Sequence, residues 1–263
     1  MYDFAYHKPS SVADAVRLLG DSEAKALAGG QTFIPVLKQR LNKPSAVVDL
    51  SKLGLSGITV TASTVTIGAT TTHGAVAQSA EVKKAIPGLA HLAGMIGDNA
   101  VRYRGTIGGS LANNDPTACY PSAVLALGAT IKTDRRSIKA DDFFQGMFTT
   151  ALEPSEIITA VEFPIAQKSA YEKFRNPASR YAMVGVFVAK TAAGVRVAVT
   201  GASQGGVFRH TAFETALSAN FSPSALDGIA TPADGLNSDI HGSAEYRAHL
   251  VGVMAKRAVA SAA

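Results

Sequence analysis

Apolar positions along the chain recur with two periods, and the order of those periods predicts a mixed α and β protein. Val12, Ala13, Ala15, Val16, Leu18 and Leu19 fall at helical spacing, opened by Pro9-Ser10-Ser11 and stopped by Gly20. Residues 25–28 predict a short apolar strand that runs into Gly29-Gly30. Residues 32–41 predict a helix with Phe33, Val36, Leu37 and Leu41 on one side and Pro35 in its first turn. Residues 46–50 read as a second buried strand. In 60–69, Thr59, Thr61 and Thr66 alternate with Val60, Val65 and Ile67, the pattern of a hairpin arm. Helices are predicted over 72–78 and 85–97, a glycine-rich turn over 104–110, a helix over 121–127, and strands over 129–133 and 157–163, the last ended by Pro164. From about residue 168 the texture changes. Phe174, 184–189, 195–201 and the surroundings of Phe208 predict one antiparallel sheet, with helices at 212–219 and 244–260. The stripe Tyr246, Leu250, Val253 and Met254 reads as core-facing. The expected division is 1–55, 56–167 and 168–263.

Composition narrows the function classes. Of 263 residues, 47% are hydrophobic, enough for a sizeable core and against wholesale disorder. Only 17% are charged, against about 25% in an average globular protein, which points to a surface partly covered by a partner. Lys and Arg number 25 against 20 Asp and Glu. Pairs such as Lys83-Lys84 and Arg135-Arg136 are scattered and form no dense basic arm, so nucleic acid is not the expected partner. A single cysteine, Cys119, excludes an intramolecular disulfide and an all-cysteine iron–sulfur cluster within this chain, which takes four thiolates. The apolar run 184–202 is interrupted by Lys190 and Arg196 and predicts two strands around a turn, not a membrane span. No basic stretch followed by an apolar core stands near Met1, so a cytoplasmic protein is expected.

Two glycine pairs carry the candidate chemistry. Ala28-Gly29-Gly30-Gln31-Thr32 lies between a predicted strand and a predicted helix. Thr106-Ile107-Gly108-Gly109-Ser110 is followed by Asn113, Asn114 and Asp115. Glycine lets another group approach the backbone, and free N–H groups with neutral side-chain donors can hold a diphosphate. Neither stretch has the Walker A or the Gly-x-Gly-x-x-Gly pattern. Each alone fits a tight turn; together they fit one extended ligand bearing two phosphates. Other groupings carry less. His241, Glu245 and His249 at i, i+4 and i+8 read as a surface or subunit-contact helix, Asp141-Asp142 reads as a helix cap, and Ser110 and Ser203 lack a nucleophile-elbow pattern.

Residues 28–35 and 106–112 resemble the two flavin loops of the FAD-binding medium subunit of the molybdenum hydroxylases, the xanthine dehydrogenase and carbon monoxide dehydrogenase family. Residues 4–9, 102–105, 156–161, 173–175 and 241–247 resemble other signatures of that family in the same order. The resemblance implies two α/β subdomains of the vanillyl-alcohol-oxidase type holding FAD between them, followed by a C-terminal antiparallel sheet with helices. It implies that Ala28, Gly29, Gly30, Gln31 and Thr32, with Thr106, Ile107, Gly108, Gly109 and Ser110, line the diphosphate, and that Asp115 lies in the polar strip after the second loop. By position, Ile158 offers its backbone to the flavin, Lys173 stands near the ring carbonyls and Tyr181 shields one ring face. Cys119 stands where relatives commonly have a carboxylate, a partner for FAD hydroxyl groups. The implied function is an electron-transfer oxidoreductase subunit. It would take electrons from 2Fe-2S clusters on a small partner subunit, serve a large molybdopterin subunit, and sit in a dimer of heterotrimers. A free-standing FAD-dependent oxidoreductase of the same superfamily is the alternative.

Overall fold

The computed structural model describes residues 1–263, which build three larger sheets in succession and one two-stranded ribbon. The first unit runs β1 (Ala5–His7), α1 (Val12–Leu18), β2 (Lys25–Leu27), α2 (Phe33–Lys38) and β3 (Ala46–Asp49). Its strands pair in parallel in the order β1-β3-β2. Every residue of the central β3 is buried. Ser11 caps α1 by accepting from the Asp14 N–H, as the polar stretch before that helix leads one to expect.

The second unit contains β4 (Ile58–Val60), β5 (Thr64–Gly68), α3 (His73–Gln78), α4 (Ala80–Ala85), α5 (Pro87–Gly94), α6 (Asn99–Arg104), α7 (Ile107–Asn113) and α8 (Tyr120–Leu127). It continues with β6 (Thr130–Thr133), β7 (Ser137–Lys139), α9 (Ala140–Phe143), β8 (Phe144–Gly146), β9 (Thr149–Thr150) and β10 (Ile158–Pro164). Five strands form an antiparallel sheet in the order β4-β5-β10-β6-β7, and β8 and β9 form a separate ribbon.

The third unit is an antiparallel sheet of β11 (Lys168–Arg175), β12 (Ala182–Thr191), β13 (Gly194–Thr200) and β14 (Phe208–Arg209), with α10 (Thr211–Ala219) and α11 (Ala244–Ser261). Along β12, Val184, Val186 and Val188 join the core under α10 and α11, whereas Phe187 and Ala189 join the core that includes α8. Both faces of this sheet are therefore covered, and 184–189 reads as an unbroken apolar run instead of an alternation. Helix α8 is buried on every side. A helix apolar all round belongs in an interior, and α8 fills the space between the second and third sheets, with its N-terminal end at Cys119.

Several sequence expectations are corrected. The helix expected over 85–97 is the shorter α5 (Pro87–Gly94), which Pro87 opens at its first position, and a separate helix not expected from the sequence, α4 (Ala80–Ala85), precedes it. The arm expected over 60–69 is the turn and second strand of the β4–β5 hairpin. The short β1 lies outside the expected elements; three residues carry too little periodicity, and its pairing with β3 is non-local. Asp141 and Asp142 are not a cap: they lie in the first turn of α9, where Asp141 pairs with Arg196 at 2.8 Å. His241 lies in a turn before α11 and so shares no helix with Glu245 and His249.

Strand β10 is anchored at its start by one buried carboxylate. Arg136 Nε and Nη2 donate to the two Glu156 oxygens at 3.0 Å each, and Thr133 Oγ1 and the Glu153 N–H donate at 2.8 Å each. The Arg136 hydrogen bonds, opposed by burial, hold the Glu156 carboxyl down to about 2. A depressed folded-state value contributes stability above the carboxyl's ordinary range, and that contribution is lost as pH falls toward 2. Glu156→Gln therefore destabilises the protein at pH 7 by about 2 kcal/mol. Urea denaturation should show the gap between parent and variant closing between about pH 5 and pH 2; a gap constant over that range contradicts the role given to the carboxylate.

Candidate functional site

All three units contribute walls to one cleft with a cavity volume of about 970 Å³. That is at the upper end of small-ligand sites and suits an extended dinucleotide better than a small metabolite. The first unit supplies residues 25–33, the second supplies stretches of α3, α6, α7 and the segment before α8, and the third supplies Lys173 and residues 178–181.

The two glycine loops meet each other before they meet any ligand. A Cβ on Gly29 would overlap the Arg104 carbonyl oxygen and lie 2.7 Å from Gly105 Cα. A Cβ on Gly108 would lie 2.7 Å from Ala69 Cβ. Real Cβ atoms do not tolerate such approaches, so glycine here permits backbone-to-backbone packing. The loops differ in what they leave free. The N–H groups of Gly29, Gly30, Gln31 and Thr32 have no acceptor within the chain, and Gly30 adopts φ +72°. In the second stretch the Ile107 N–H donates to Thr71 O (3.2 Å), Gly108 to Ala69 O (2.9 Å), Gly109 to Thr106 Oγ1 (3.2 Å) and Ser110 to Thr106 O (3.0 Å). The stretch expected to be a turn is the capped first turn of α7, with its amides already satisfied. The first loop is thus the backbone donor, and the second contributes close approach and side chains.

Beyond the loops, Asn114 takes a left-handed conformation (φ 43°), and its side-chain amide donates to Gly146 O and Thr149 O at 2.8 Å each. This ties the chain after α7 to the β8–β9 ribbon. Asp115 accepts from the Thr117 N–H (2.8 Å) and Oγ1 (2.7 Å), closing the turn that leads to Cys119. Lys173, on the edge strand β11, is only 7% exposed. Its Nζ donates to Met95 O (2.8 Å) and to Cys119 Sγ (3.4 Å). Tyr181 is 60% exposed at the rim. It is held by a closed loop in which the Asn176 N–H donates to Tyr181 O and the Asn176 side chain accepts from Ala178 and Ser179.

Of the residues singled out in the sequence, Ala28, Gly29, Gly30, Gln31, Thr32, Thr106, Gly108, Gly109, Ser110, Asp115, Cys119, Ile158, Lys173 and Tyr181 line this one cleft. Ile107 does not. Its side chain is fully buried in the second unit's core and its N–H is taken by Thr71, because the first residue of α7 faces the sheet. The side chain of Asn114, expected among the ligand donors, likewise turns inward. Sequence reasoning missed one wall: Thr70, His73, Gly97, Asp98 and Val101. His73 is buried, its Nδ1 has no partner, and burial followed by the nearby Arg102 charge lowers its pKa to about 4, leaving a neutral imidazole. No pattern in the sequence marks it; the approach that leaves room only for glycine at 105, where a Cβ would lie 2.8 Å from His73 Cδ2, is visible only in the folded chain.

The cleft offers a row of free amides, neutral hydroxyls, one buried cation and one thiol, a set whose donors suit an anionic, extended ligand and which includes no group of side chains able to hold a metal ion. Comparisons with known proteins agree with that chemistry. The family described as the FAD binding domain in molybdopterin dehydrogenase matches residues 2–166. The carbon monoxide dehydrogenase medium chain of Afipia carboxidovorans is 35% identical, over 97% of this chain and 95% of that one. The nicotine 6-hydroxylase medium subunit of Paenarthrobacter nicotinovorans is 36% identical, over 98% and 96%. A crystal structure of Cu,Mo-CO dehydrogenase in its cyanide-inactivated form superposes with a TM-score of 0.89 at 34% identity, covering 99% of this chain and 98% of that one. The protein belongs to the family of FAD-binding medium subunits of the molybdenum hydroxylases, whose relatives are subunits of dehydrogenase and hydroxylase oxidoreductases.

Proposed function

We propose that the cleft holds FAD and that the chain passes electrons as the flavoprotein subunit of a molybdenum hydroxylase. The observation that carries the reading is the row of four unpartnered N–H groups at Gly29–Thr32, set at the meeting point of two loops. A diphosphate satisfies such a row without a lysine. The residues fit the group in donor type as well as in size of cleft. Bound FAD supplies a two-electron acceptor that can be filled and emptied in single steps.

The chain's own residues bind and orient. Ala28, Gly29, Gly30, Gln31 and Thr32 receive the diphosphate. Thr106, Gly108, Gly109 and Ser110 close the opposite side, with the glycines allowing approach and Ser110 offering a hydroxyl. Asp115 and Cys119 border the middle of the cleft, Ile158 contributes backbone from β10, and Tyr181 covers the rim. The neutral His73 forms part of the same wall. No Ser-His-Asp triad or paired-carboxylate arrangement lines the cleft, which suits electron relay better than substrate chemistry.

Electrons reach the flavin from iron–sulfur clusters on a small partner subunit, leave for an external acceptor, and originate at a large molybdopterin subunit. Support comes from the single cysteine, and from relatives that are themselves named medium chains or subunits. A dimer of such heterotrimers is the assembly proposed. No helix of the chain is long and apolar enough to cross a membrane.

Gly29→Val drives a side chain into the Arg104 carbonyl and parts the two loops. After reconstitution with excess FAD, its flavin absorbance should fall at least tenfold below that of the parent, with far-ultraviolet circular dichroism retained. Full occupancy in the variant contradicts the cradle. Cys119→Asp should keep parental flavin content. Co-purification of cluster-bearing and molybdopterin subunits tests the relay, and turnover of an organic substrate by the isolated chain would sink it.

A further inference from the structure

Helix α11 buries one face and leaves a second one open. Leu250, Val251, Met254, Ala255 and Ala258 are buried in the core under the third sheet. Glu245, Ala248, His249, Gly252, Val253 and Lys256 recur at i, i+3, i+4, i+7, i+8 and i+11, the spacing of a single helical stripe. Of these, Glu245 and His249 are exposed and the other four half-buried. With residues of the 226–233 segment, which runs alongside, they line an open groove of about 520 Å³ that shares no residue with the cleft. Its floor is apolar, and none of its polar side chains is buried. A small polar ligand finds nothing there to fix it; the side chains of another helix do. Gly252 interrupts this face in the middle of an 18-residue helix. Glycine is the weakest helix former after proline. Nothing in the chain calls for it here, since a Cβ at 252 would have no atom within 4 Å. The hollow it leaves opens outward.

The charges of the stripe choose the occupant. One carboxylate, Glu245, stands at one end, and one ammonium, Lys256, at the other. Glu245 takes part in none of the chain's ion pairs. Lys256 meets Asp227 at 2.6 Å, a surface pair of the kind that contributes little. A second α11 laid parallel and in register would set like charge on like. Laid antiparallel, it sets Glu245 of each copy against Lys256 of the other. The midpoint of that pairing falls between His249 and Gly252, so His249 of one copy enters the hollow at Gly252 of the other, and Ala248 meets Val253. Each contact occurs twice, as a two-fold interface requires, and the face is complementary to itself. We propose that α11 and the 226–233 segment form a two-fold contact between two copies of this chain. The contact needs no cofactor and uses none of the residues assigned to the cleft.

Sedimentation velocity of the full chain over rising concentration tests the contact, and the parent should dimerise reversibly. Glu245→Lys leaves an ammonium at both ends of the stripe, and Lys256→Glu leaves a carboxylate at both ends. Each variant alone should dimerise at least tenfold more weakly than the parent. An equimolar mixture of the two should form a mixed dimer of near-parental affinity, because every charged contact across it again joins opposite signs. The mixture also separates the contact from the local Asp227 pair, which Lys256→Glu lacks both alone and when mixed. Gly252→Leu fills the hollow at a position where a Cβ touches nothing in its own chain. It should weaken dimerisation at least tenfold with far-ultraviolet circular dichroism retained. A parent that stays monomeric at every concentration overturns the proposal. So do single variants that associate like the parent, or a mixture no tighter than its components. If the parent chain is monomeric alone and Glu245→Lys instead releases a co-purifying subunit, the groove belongs to that subunit and not to a second copy.

Discussion

The arrangement depends on one close approach: the backbone at Gly29 lies directly against the backbone at Arg104 and Gly105. A single methyl group on Gly29 would part them. Because they touch, the end of β2 in the first unit and the start of α7 in the second form one continuous floor. The first loop can leave its amides unpaired only because that floor is shaped by packing and not by those amides. Gly29 and Gly30 are half-buried and Gln31 and Thr32 exposed, so the four free N–H groups stand at the open cleft, where water or a ligand can accept from them.

The second constraint is the placement of α8. It is buried on every side, packed between two sheets, and its N-cap residue Cys119 borders the cleft. Cys119 at its head and Lys173 on β11 meet there across the boundary between the second and third units. Arg247 reinforces that boundary from the far side. It is buried on α11 and donates to Met183 O (2.8 Å) and Gly201 O (3.1 Å), while the Gly201 N–H donates to Pro116 O (2.8 Å), two residues before Ala118 at the cleft. The C-terminal sheet is therefore part of the site's frame, although it contributes few of the lining residues.

Much of the fold was legible in the sequence where the physics is local. The helix of 12–18 announces itself by spacing and by its serine cap, and β12 by an apolar run too long for a one-sided strand. The antiparallel sheet beginning at β11 (Lys168–Arg175) coincides with the change of texture near residue 168. Most cleft residues were legible too, because glycine pairs next to polar donors are rare enough to stand out and because the motifs resemble a known family. Ile107 was misassigned for a reason of the same kind: a motif read as a string puts neighbours on one side, whereas the first turn of α7 sends Gly108 to Ala69 and Ile107 into the core.

By itself the sequence determined the strongly periodic helices and strands, the family, and the presence of two glycine loops able to approach a ligand. Tertiary structure alone decided which loop keeps its donors. The acceptors that silence the second loop, Ala69 and Thr71, lie far back in the chain and reach it only through the folded β5–α3 connection. It also decided that Lys173 is buried and not a solvated edge lysine, because the surfaces that bury it, the end of α5 and the head of α8, come from another unit. Hydrogen-bond supply and burial are properties of non-local contacts, and no periodicity along a single strand encodes them.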